Sequence, residues 1–245
     1  MEEAVVCALC GDRGIILQGD VAVPCDCGRS KAAARVFGAS GMPPKLRDCS
    51  LSKFNSRYYA RDCLDLERGV TYFELAKLAH RAAVKFVADF LKNPHIDGLM
   101  LSGDVGAGKT YLASCIANAL LDKGQRVLFI VVPDLLDQIR ATFDSDKNAW
   151  EYTEFELMEA ARQVPLLILD DLGANNYTEW SKNRIYSIIN YRLNHQLPVI
   201  ITTNITPEDL EAHLGERTTS RLLEMCKPYR LQVDMDIRAV RRREL

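Results

Sequence analysis

The eight residues GDVGAGKT combine glycines, a lysine and a threonine at a spacing that suits phosphate binding. The glycines let consecutive backbone N–H groups turn toward a polyphosphate, Lys109 can reach the β- and γ-phosphates, and the Thr110 hydroxyl can bind Mg²⁺. The spacing therefore predicts a site for ATP or GTP. All eight residues are expected to contact the nucleotide: Gly103, Asp104, Val105, Gly106, Ala107, Gly108, Lys109 and Thr110.

The residues around this segment support the same interpretation. The apolar run Leu99 to Leu101 precedes it, and Tyr111 to Leu121 has a helical pattern. A strand before the glycines and a helix after them is the context in which such a loop binds phosphate. The alternative is a glycine-rich turn that only resembles the motif.

Two acids follow a second apolar run further along the chain. Leu166 to Leu169 is typical of a strand buried on both faces, and Asp170 and Asp171 come directly after it. Carboxylates at that end of a parallel strand lie where open α/β sheets bind ligands. We expect Asp170 to hold Mg²⁺ through water and Asp171 to orient an attacking water. This pair favours hydrolysis over transfer of the phosphoryl group to a substrate.

A third run, Pro198 to Thr203, is rich in β-branched residues and ends at Asn204. An asparagine at the end of a neighbouring strand could hydrogen-bond both the attacking water and the γ-phosphate. It could equally be a turn residue before the helix start at Thr206 and Pro207. The residue chemistry alone leaves both interpretations open.

The composition is that of an ordinary soluble protein, with 245 residues, 48% apolar and 26% charged. No apolar run is long enough to span a membrane, and the start MEEAVVCALC lacks a basic segment followed by an apolar core. We expect a cytoplasmic protein with no membrane contact. The net charge of −2 means that any contact with nucleic acid must come from a local basic patch.

Four cysteines lie near the start of the chain, two on each side of a hairpin pattern. The strands are predicted at 15–18 and 21–23, with Gly19 and Asp20 between them. This plan brings four sulfurs together and predicts a zinc site at Cys7, Cys10, Cys25 and Cys27. The second pair is spaced more tightly than usual, so free thiols or an iron–sulfur site remain alternatives. The other cysteines are expected to be small buried residues: Cys49, Cys63, Cys115 and Cys226.

The chain is predicted to divide into three parts: a cysteine-rich module at 1–40, a linker at 41–70 and an ATPase domain at 71–245. Thr71 and Glu74 form a capping-box pattern that opens a helix ending at Asn93. Its apolar stripe is predicted at Leu75, Ala79, Ala82, Phe86 and Phe90. From Leu99 onward, strands alternate with helices, which predicts an α/β fold with a mainly parallel sheet covered by helices on both faces.

Four motifs together resemble a known family: GDVGAGKT, LLILDDLG, ITTN and GERTTSRL. Their combination is similar to the bacterial replicative helicase loaders of the DnaC/DnaI type within the AAA+ ATPases, a group that also includes the IstB transposition helpers. The resemblance covers essentially the whole chain, since DnaI-like loaders also begin with a cysteine-rich module. It implies an AAA+ P-loop ATPase with an abbreviated lid, and a zinc-ribbon-like N-terminal module that contacts the helicase.

The resemblance also implies roles for particular side chains. It makes Asn204 the sensor of the γ-phosphate and Arg221 the arginine finger that reaches ATP bound by a neighbouring subunit. Arg217 is a nearby candidate for the finger. Arg238 is similar to a second sensor that contacts the nucleotide of its own subunit, although a solvated basic tail also accounts for it. The second acid is Asp171 where a glutamate is more common, which suggests a slow switch.

The segment from Asp134 to Arg162 is longer than one crossover helix needs. In related initiators, an insertion here lines a pore for single-stranded DNA. Basic and aromatic side chains in the segment can grip phosphates and stack bases, and the expected DNA contacts are Arg140, Phe143, Lys147 and Trp150. The alternative is that the two aromatic residues pack in the core.

The resemblance implies an ATP-dependent loader of the hexameric replicative DNA helicase onto single-stranded DNA during replication initiation or restart. It also implies self-association through ATP-bridged interfaces. The alternatives are an IstB-like transposition helper and a nucleotide-dependent adaptor that does not hydrolyse ATP. Expected cofactors are ATP, Mg²⁺ and Zn²⁺.

Overall fold

The computed structural model describes residues 9–11, 13, 15–19, 21–25, 40–144, 153–174 and 176–244. Near the start, strands β1 (Ile15–Gln18) and β2 (Val21–Pro24) pair in antiparallel fashion, with Gln18 opposite Val21. The predicted hairpin is therefore confirmed.

The segment 41–70, which was predicted to be a linker, packs against the rest of the chain. It contains three short 3-10 helices (Pro44–Leu46, Leu51–Lys53 and Ser56–Tyr58) and the two-stranded ladder β3 (Leu64–Asp65) and β4 (Val70–Thr71). Met42 and Tyr59 are buried in the same apolar cluster as Ala107 of the GDVGAGKT segment. The domain boundaries stay a prediction, but this segment supports the nucleotide site directly.

Helices and strands then alternate to the end of the chain. In order they are α1 (Tyr72–Phe90), β5 (Gly98–Gly103), α2 (Lys109–Leu121), β6 (Val127–Val131), α3 (Val132–Asp144), α4 (Glu154–Gln163), β7 (Leu166–Asp170), α5 (Glu179–Asn194), β8 (Val199–Thr203), α6 (Pro207–Leu214), α7 (Glu216–Met225), β9 (Cys226–Leu231) and α8 (Ile237–Arg243).

The main sheet has five strands in the order β6-β7-β8-β5-β9, and every neighbouring pair is parallel. One face packs against α3, α4 and α5 through residues such as Ile139, Leu157 and Ile188. The other packs against α1 and α2 through residues such as Phe86 and Ile116. The predicted parallel sheet covered on both faces is confirmed. The carboxyl ends of β5, β7 and β8 lie side by side, and we call this the carboxyl edge.

Helix α1 begins as predicted and ends earlier. The Thr71 side chain accepts from Glu74 N (3.2 Å), and the Glu74 carboxylate accepts from Thr71 N (2.8 Å), so the capping box is present. The helix ends at Phe90, before the predicted Asn93. Ala83, and not the predicted Ala82, is fully buried on the stripe, because the spacing of about 3.6 residues per turn places 79, 83, 86 and 90 on one side.

Two of the four remaining cysteines match the prediction of burial and two do not. Cys115 and Cys226 are buried, while Cys49 and Cys63 are only half-buried. Both half-buried residues lie in the segment before α1, which covers the core from outside. No helix among the described residues is long and apolar enough to cross a membrane.

Candidate nucleotide site

Residues Gly103 to Thr110, here called the phosphate loop, connect β5 to α2 at the carboxyl edge. Gly106 and Gly108 have φ of 77° and 88°, a region that favours glycine. A Cβ at Gly106 would lie 2.2 Å from the carboxyl carbon of Asp236. The predicted strand and helix around the loop are confirmed. The positive φ favours glycine at 106, and the Asp236 side chain would have to shift to admit a Cβ there.

Lys109, the first residue of α2, is folded back onto its own loop. Its side chain is 5% exposed, and Nζ donates to Gly103 O (2.8 Å) and Asp104 O (2.6 Å). Burial lowers the pKa of Lys109 to about 8, while the charge of Asp171 acts in the opposite direction. The loop thus holds a buried cation whose present partners are neutral carbonyls, and an anionic ligand would pair better with it.

Asp170, the last residue of β7, lies next to the phosphate loop. Its carboxylate is buried, and Oδ1 accepts from Thr110 Oγ1 (2.9 Å) and from Thr202 Oγ1 (2.6 Å). Burial raises the pKa of Asp170, and the hydrogen bond from Thr202 opposes that rise. The structure therefore brings together Thr110 and Asp170, whose hydroxyl and carboxylate oxygens are ligands that suit Mg²⁺.

Asp171 occupies the turn just beyond β7. It is a non-glycine residue with positive φ, 56°, in the left-handed region, where aspartate is tolerated better than most residues. Its N–H donates to Thr202 Oγ1 (3.0 Å), and the next residue, Leu172, donates to Thr202 O (2.9 Å). These bonds hold the turn, while the half-exposed Asp171 side chain remains accessible from solvent.

Asn204 follows β8 directly and is exposed. The chain turns immediately after it, where Ile205 N donates to Thr203 Oγ1 (3.2 Å). Because β8 lies between β5 and β7, Asn204 sits at the carboxyl edge between the phosphate loop and the two acids. This position suits the predicted sensor, and its role stays a prediction. The helix start after it is also present: Thr206 caps the start of α6, and Gly215 follows its last residue, Leu214.

The C-terminal part of the chain covers the phosphate loop. Val233 N donates to Asp104 Oδ2 (3.1 Å), and Ile237 N donates to Gly106 O (3.2 Å). From the segment before α1, the buried Tyr59 hydroxyl donates to Ala107 O (2.8 Å). A cleft of about 410 Å³ adjoins this cover and is lined by Arg57, Tyr58, Tyr59, Ala60, Asp62, Asp234, Met235, Val240 and Glu244.

Arg238 lies on α8, within electrostatic reach of the phosphate loop. Its guanidinium is exposed, and Nε is 3.3 Å from Asp236 Oδ1. Burial is the main cause of the lowered pKa of Lys109, and the positive charge of Arg238 lowers that pKa further. The predicted second sensor is thus near the site, on the same covering segment.

Sequence reasoning missed two residues of this site, Thr202 and Tyr59. Thr202 belongs to the apolar run predicted as a strand and lies two residues before Asn204. That spacing is a signal in the sequence. Tyr59 is 48 residues from its partner Ala107, and no local pattern indicates this contact.

Arg221 makes its described contacts away from the phosphate loop. Nε donates to Asn190 Oδ1 (2.9 Å), Nη1 donates to Arg217 O (3.0 Å), and the guanidinium carbon lies 4.9 Å from the centre of the Tyr186 ring. These partners belong to α5 and α7. Within the described residues, the structure does not bring Arg221 together with Lys109 or the two acids.

The predicted DNA contacts are described only in part. Arg140 on α3 donates from Nη2 to Ser181 Oγ (3.1 Å), and its guanidinium carbon lies 5.6 Å from the centre of the Trp180 ring. The Phe143 side chain, Lys147 and Trp150 lie outside the described residues.

Two of the four predicted zinc ligands can be located. Cys10 and Cys25 flank the β1–β2 hairpin and are both buried, at 8% and 1% exposure. Cys7 and Cys27 lie outside the described residues. In the part of the chain that is described, no group of three or more histidine, cysteine, aspartate or glutamate side chains could hold a metal ion. The four-cysteine site therefore stays a prediction.

Two curated relatives are similar to this chain over most of its length. The replicative helicase loader DnaI of Bacillus subtilis (strain 168) is 28% identical over 199 residues, covering 74% of this chain and 61% of that protein. The replicative helicase loader DnaC of Escherichia coli (strain K12) is 29% identical over 194 residues, covering 79% of this chain and 71% of that protein. The chain thus spans about three fifths of the length of the Bacillus relative.

A solved structure agrees with these relatives. The crystal structure of the DnaC helicase loader superposes with a TM-score of 0.61 at 26% identity, covering 78% of this chain and all of that one. The fold is therefore that of an AAA+ P-loop ATPase. The family described as IstB-like ATP binding protein matches residues 70–234, a range that contains the phosphate loop, both acids, Asn204 and Arg221. This chain belongs to the family of IstB-like ATP-binding proteins.

Proposed function

We propose that this protein is an ATP-dependent loader of the hexameric replicative DNA helicase onto single-stranded DNA, acting in replication initiation or restart. The observation that carries the proposal is the hydrogen-bonded group Thr110, Asp170 and Thr202 beside a complete phosphate loop. The two relatives named as helicase loaders supply the partner.

ATP binding changes the partners of Lys109. In the present arrangement its ammonium donates to two carbonyls of its own loop. A triphosphate in the loop offers charged oxygens instead, and charge-assisted hydrogen bonds are stronger than neutral ones. Lys109 therefore turns from the carbonyls to the β- and γ-phosphates. The N–H groups at the start of α2 add the positive end of the helix dipole.

Thr110 and Asp170 are the residues that hold Mg²⁺. The hydroxyl donates its proton to Asp170 Oδ1, so its lone pairs are left to face a metal. When bound, the ion neutralises charge on the phosphates during hydrolysis. Asp171, on the turn beyond β7, orients the attacking water, and Asn204 hydrogen-bonds that water and the γ-phosphate.

The base of the nucleotide enters the cleft beside the phosphate loop. Tyr59 forms both the wall of the cleft and a hydrogen bond to Ala107 of the loop. Met235 is 53% exposed there and offers an apolar, adaptable contact for a flat ring. Arg238 then lies where it can contact the phosphates from the same chain.

Hydrolysis requires a second copy of the chain. Arg221 is half-exposed on α7 and held by Asn190 on α5, and its described contacts do not include its own phosphate loop. A guanidinium held in this way on the surface suits the role of a finger for a neighbour's γ-phosphate. Self-association through ATP-bridged interfaces follows, with Arg217 as a neighbouring candidate on the same helix.

Single-stranded DNA binds near α3, through Arg140 together with Phe143, Lys147 and Trp150. Arg140 is half-exposed, next to the Trp180 ring. Cations and aromatic faces side by side are the groups that hold a flexible strand. Because the chain has a net charge of −2, this local patch must supply the attraction.

The N-terminal module binds zinc and contacts the helicase. Cys10 and Cys25 are buried at the two ends of a hairpin so short that a metal is needed to stabilise it. Elemental analysis should find one zinc per chain, lost when Cys10→Ser and Cys25→Ser are combined. Zinc-free wild-type protein that still binds the helicase would contradict this part of the proposal.

The test of the function uses the replicative helicase from the same cell. Wild-type protein should co-purify with the hexamer and load it onto circular single-stranded DNA in the presence of ATP, while Lys109→Ala should not load. The alternative is an IstB-like transposition helper, since the matching family is described as IstB-like ATP binding protein. Stimulation of a transposase, with no binding to the helicase, would support that alternative and overturn the loader.

A further inference from the structure

Thr202 on β8 connects the strand that carries Asn204 to both acids. Its hydroxyl donates to Asp170 Oδ1 (2.6 Å) and accepts from Asp171 N (3.0 Å), while its carbonyl accepts from Leu172 N (2.9 Å). One fully buried residue therefore bonds to three consecutive residues at the point where the chain leaves β7.

We propose that Thr202 is a positioning residue for the Mg²⁺–ATP site, which orients the Asp170 carboxylate and holds the Asp171 turn. The inference rests on the proposed function, in which Asp170 holds Mg²⁺ and Asp171 orients water. Thr202 acts through these acids and does not itself touch the nucleotide.

The hydrogen bonds fix the orientation of the Asp170 carboxylate. Both described bonds to Asp170 reach Oδ1, one from Thr110 and one from Thr202. A carboxylate bonded twice at one oxygen cannot rotate without losing both bonds, so the two hydroxyls hold it in one orientation. Partners of this kind keep metal ligands in place in many proteins.

The same hydroxyl sets the backbone of the second acid. Asp171 has positive φ, which is unfavourable for a residue with a side chain. The N–H of Asp171 is bonded only if the turn keeps this shape, and Thr202 Oγ1 supplies the acceptor. Because Asn204 directly follows β8, a shift of that strand would move Thr202 and Asn204 together.

A purely structural hydroxyl is available for comparison on the same strand. Thr203 is also fully buried, and its Oγ1 accepts from Ile205 N (3.2 Å), without contact to either acid. Replacement by valine removes a hydroxyl at nearly constant shape in both cases. Thr202→Ser keeps the hydroxyl and removes only a methyl group.

The experiment measures the affinity of a fluorescent ATP analogue with and without Mg²⁺, and the Mg²⁺ dependence of ATP hydrolysis. Thr202→Val should bind the analogue normally without Mg²⁺ but need about 10- to 100-fold more Mg²⁺, the range found when a partner of a metal ligand is removed. Thr202→Ser should resemble the wild type.

The outcomes separate the two proposals. If Thr202→Val matches Thr203→Val in Mg²⁺ requirement, or if Thr202→Ser is as impaired as Thr202→Val, the positioning role is wrong. If the wild type binds Mg²⁺–ATP but never hydrolyses it, the proposed hydrolysis fails, and the Mg²⁺ dependence of binding still decides the role of Thr202. If Thr202→Val does not fold, the serine variants Thr202→Ser and Thr203→Ser are compared instead. An Mg²⁺ requirement that is raised only in Thr202→Ser overturns the positioning role. The same Mg²⁺ requirement as the wild type in both variants supports the role.

Discussion

At the carboxyl edge of the sheet, the buried cation of Lys109 has two carbonyl partners and lies near the charges of Asp104, Asp170 and Asp171. At the opposite edge, where the strands begin and which we call the amino edge, a second buried cation has five carbonyl partners. This cation is Arg192 on α5. Its guanidinium donates to oxygens at the end of α4 and just before β7 and β8, namely those of Ala161, Arg162, Val164, Pro165 and Pro198, at 2.6 to 3.3 Å. Both residues start as buried charges, but their surroundings differ.

The difference shows which edge can bind a ligand. Burial lowers the pKa of Arg192 to about 9, so it stays charged at neutral pH. Its two terminal nitrogens are fully engaged with backbone oxygens, and they tie the starts of β7 and β8 together. The Lys109 ammonium instead donates to only two carbonyl oxygens among the described contacts, both in its own loop. The amino edge supplies stability, and the carboxyl edge keeps unsatisfied charge for ATP.

The largest expected effect is on stability, at the amino edge. Arg192→Met should lower the free energy of unfolding by about 3 to 5 kcal/mol, because several carbonyls lose their only charged partner. Arg184→Ala is the matched control on the same helix; its ion pair with Glu154 (2.7 Å) is partly exposed and should contribute about 1 kcal/mol or less. Urea unfolding followed by circular dichroism measures both. Equal losses would contradict the comparison.

At the carboxyl edge, the large effect is on binding. Lys109→Ala should weaken ATP affinity by about 3 kcal/mol or more, or roughly 100-fold, since the phosphates lose a buried cation. Its stability should be unchanged or higher, because the buried ammonium is removed. Asp171→Asn should bind ATP as the wild type does and fail to hydrolyse it. Calorimetric titration with ATP measures the affinities. An unchanged ATP affinity of Lys109→Ala would show that the phosphate loop does not bind ATP as proposed.

The pH dependence of ATP binding follows from the lowered pKa of Lys109. The lysine is charged below about pH 8 and loses its proton above it, so affinity should be flat to neutral pH and fall by about tenfold per unit above pH 8. Lys109→Arg, which stays charged, should lack this fall. The unfolded chain keeps the proton up to its ordinary pKa of 10.5, so the ligand-free protein should also gain stability between pH 8 and 10.5. Constant affinity from pH 7 to about 9.5 would be incompatible with this.

The smallest expected effect concerns the segment before α1. Tyr59→Phe removes the bond to Ala107 O and should weaken ATP binding by about 1 kcal/mol, or about fivefold. Tyr111→Phe is the control: its hydroxyl also donates to a carbonyl, that of Ser50 at 3.1 Å, but this oxygen is not part of the phosphate loop. Tyr111→Phe should lose a similar free energy of unfolding, with no change in its affinity for ATP. If both variants bind ATP equally, the segment does not support the site.

Local patterns were sufficient for the main elements of the carboxyl edge. The glycine spacing located the phosphate loop, and short apolar runs ending in polar residues located Asp170 and Asn204. A parallel sheet then brings such strand ends together, as the order β7-β8-β5 shows. The roles of Arg221 and Arg238 came only from resemblance, because an exposed arginine has no local signature of function.

The amino edge and the cover of the loop could not be predicted in this way. Arg192 follows Ile185, Ile188 and Ile189 at helical spacing, which places it on the buried face of α5. Because charged residues are rarely buried, the sequence pattern predicts an exposed arginine at this position. Tyr59 and Ala107 meet only after the chain has folded. Contacts between distant segments, such as Val233 with Asp104, decide these features.

We propose that ATP is hydrolysed at the carboxyl edge only when a neighbouring chain supplies Arg221. The direct measurement mixes two inactive variants, Arg221→Ala and Asp171→Asn, with single-stranded DNA and helicase present to favour assembly. Arg221→Ala alone should bind ATP normally and hydrolyse it about 10³-fold more slowly or worse.

The mixture should recover part of the ATPase activity, because an Arg221→Ala chain keeps an intact Asp171 site and receives Arg221 from its Asp171→Asn neighbour. Mixed assembly is checked by crosslinking chains with different labels. If mixed assemblies form and remain inactive over a range of ratios, Arg221 does not act between subunits and the claim is wrong.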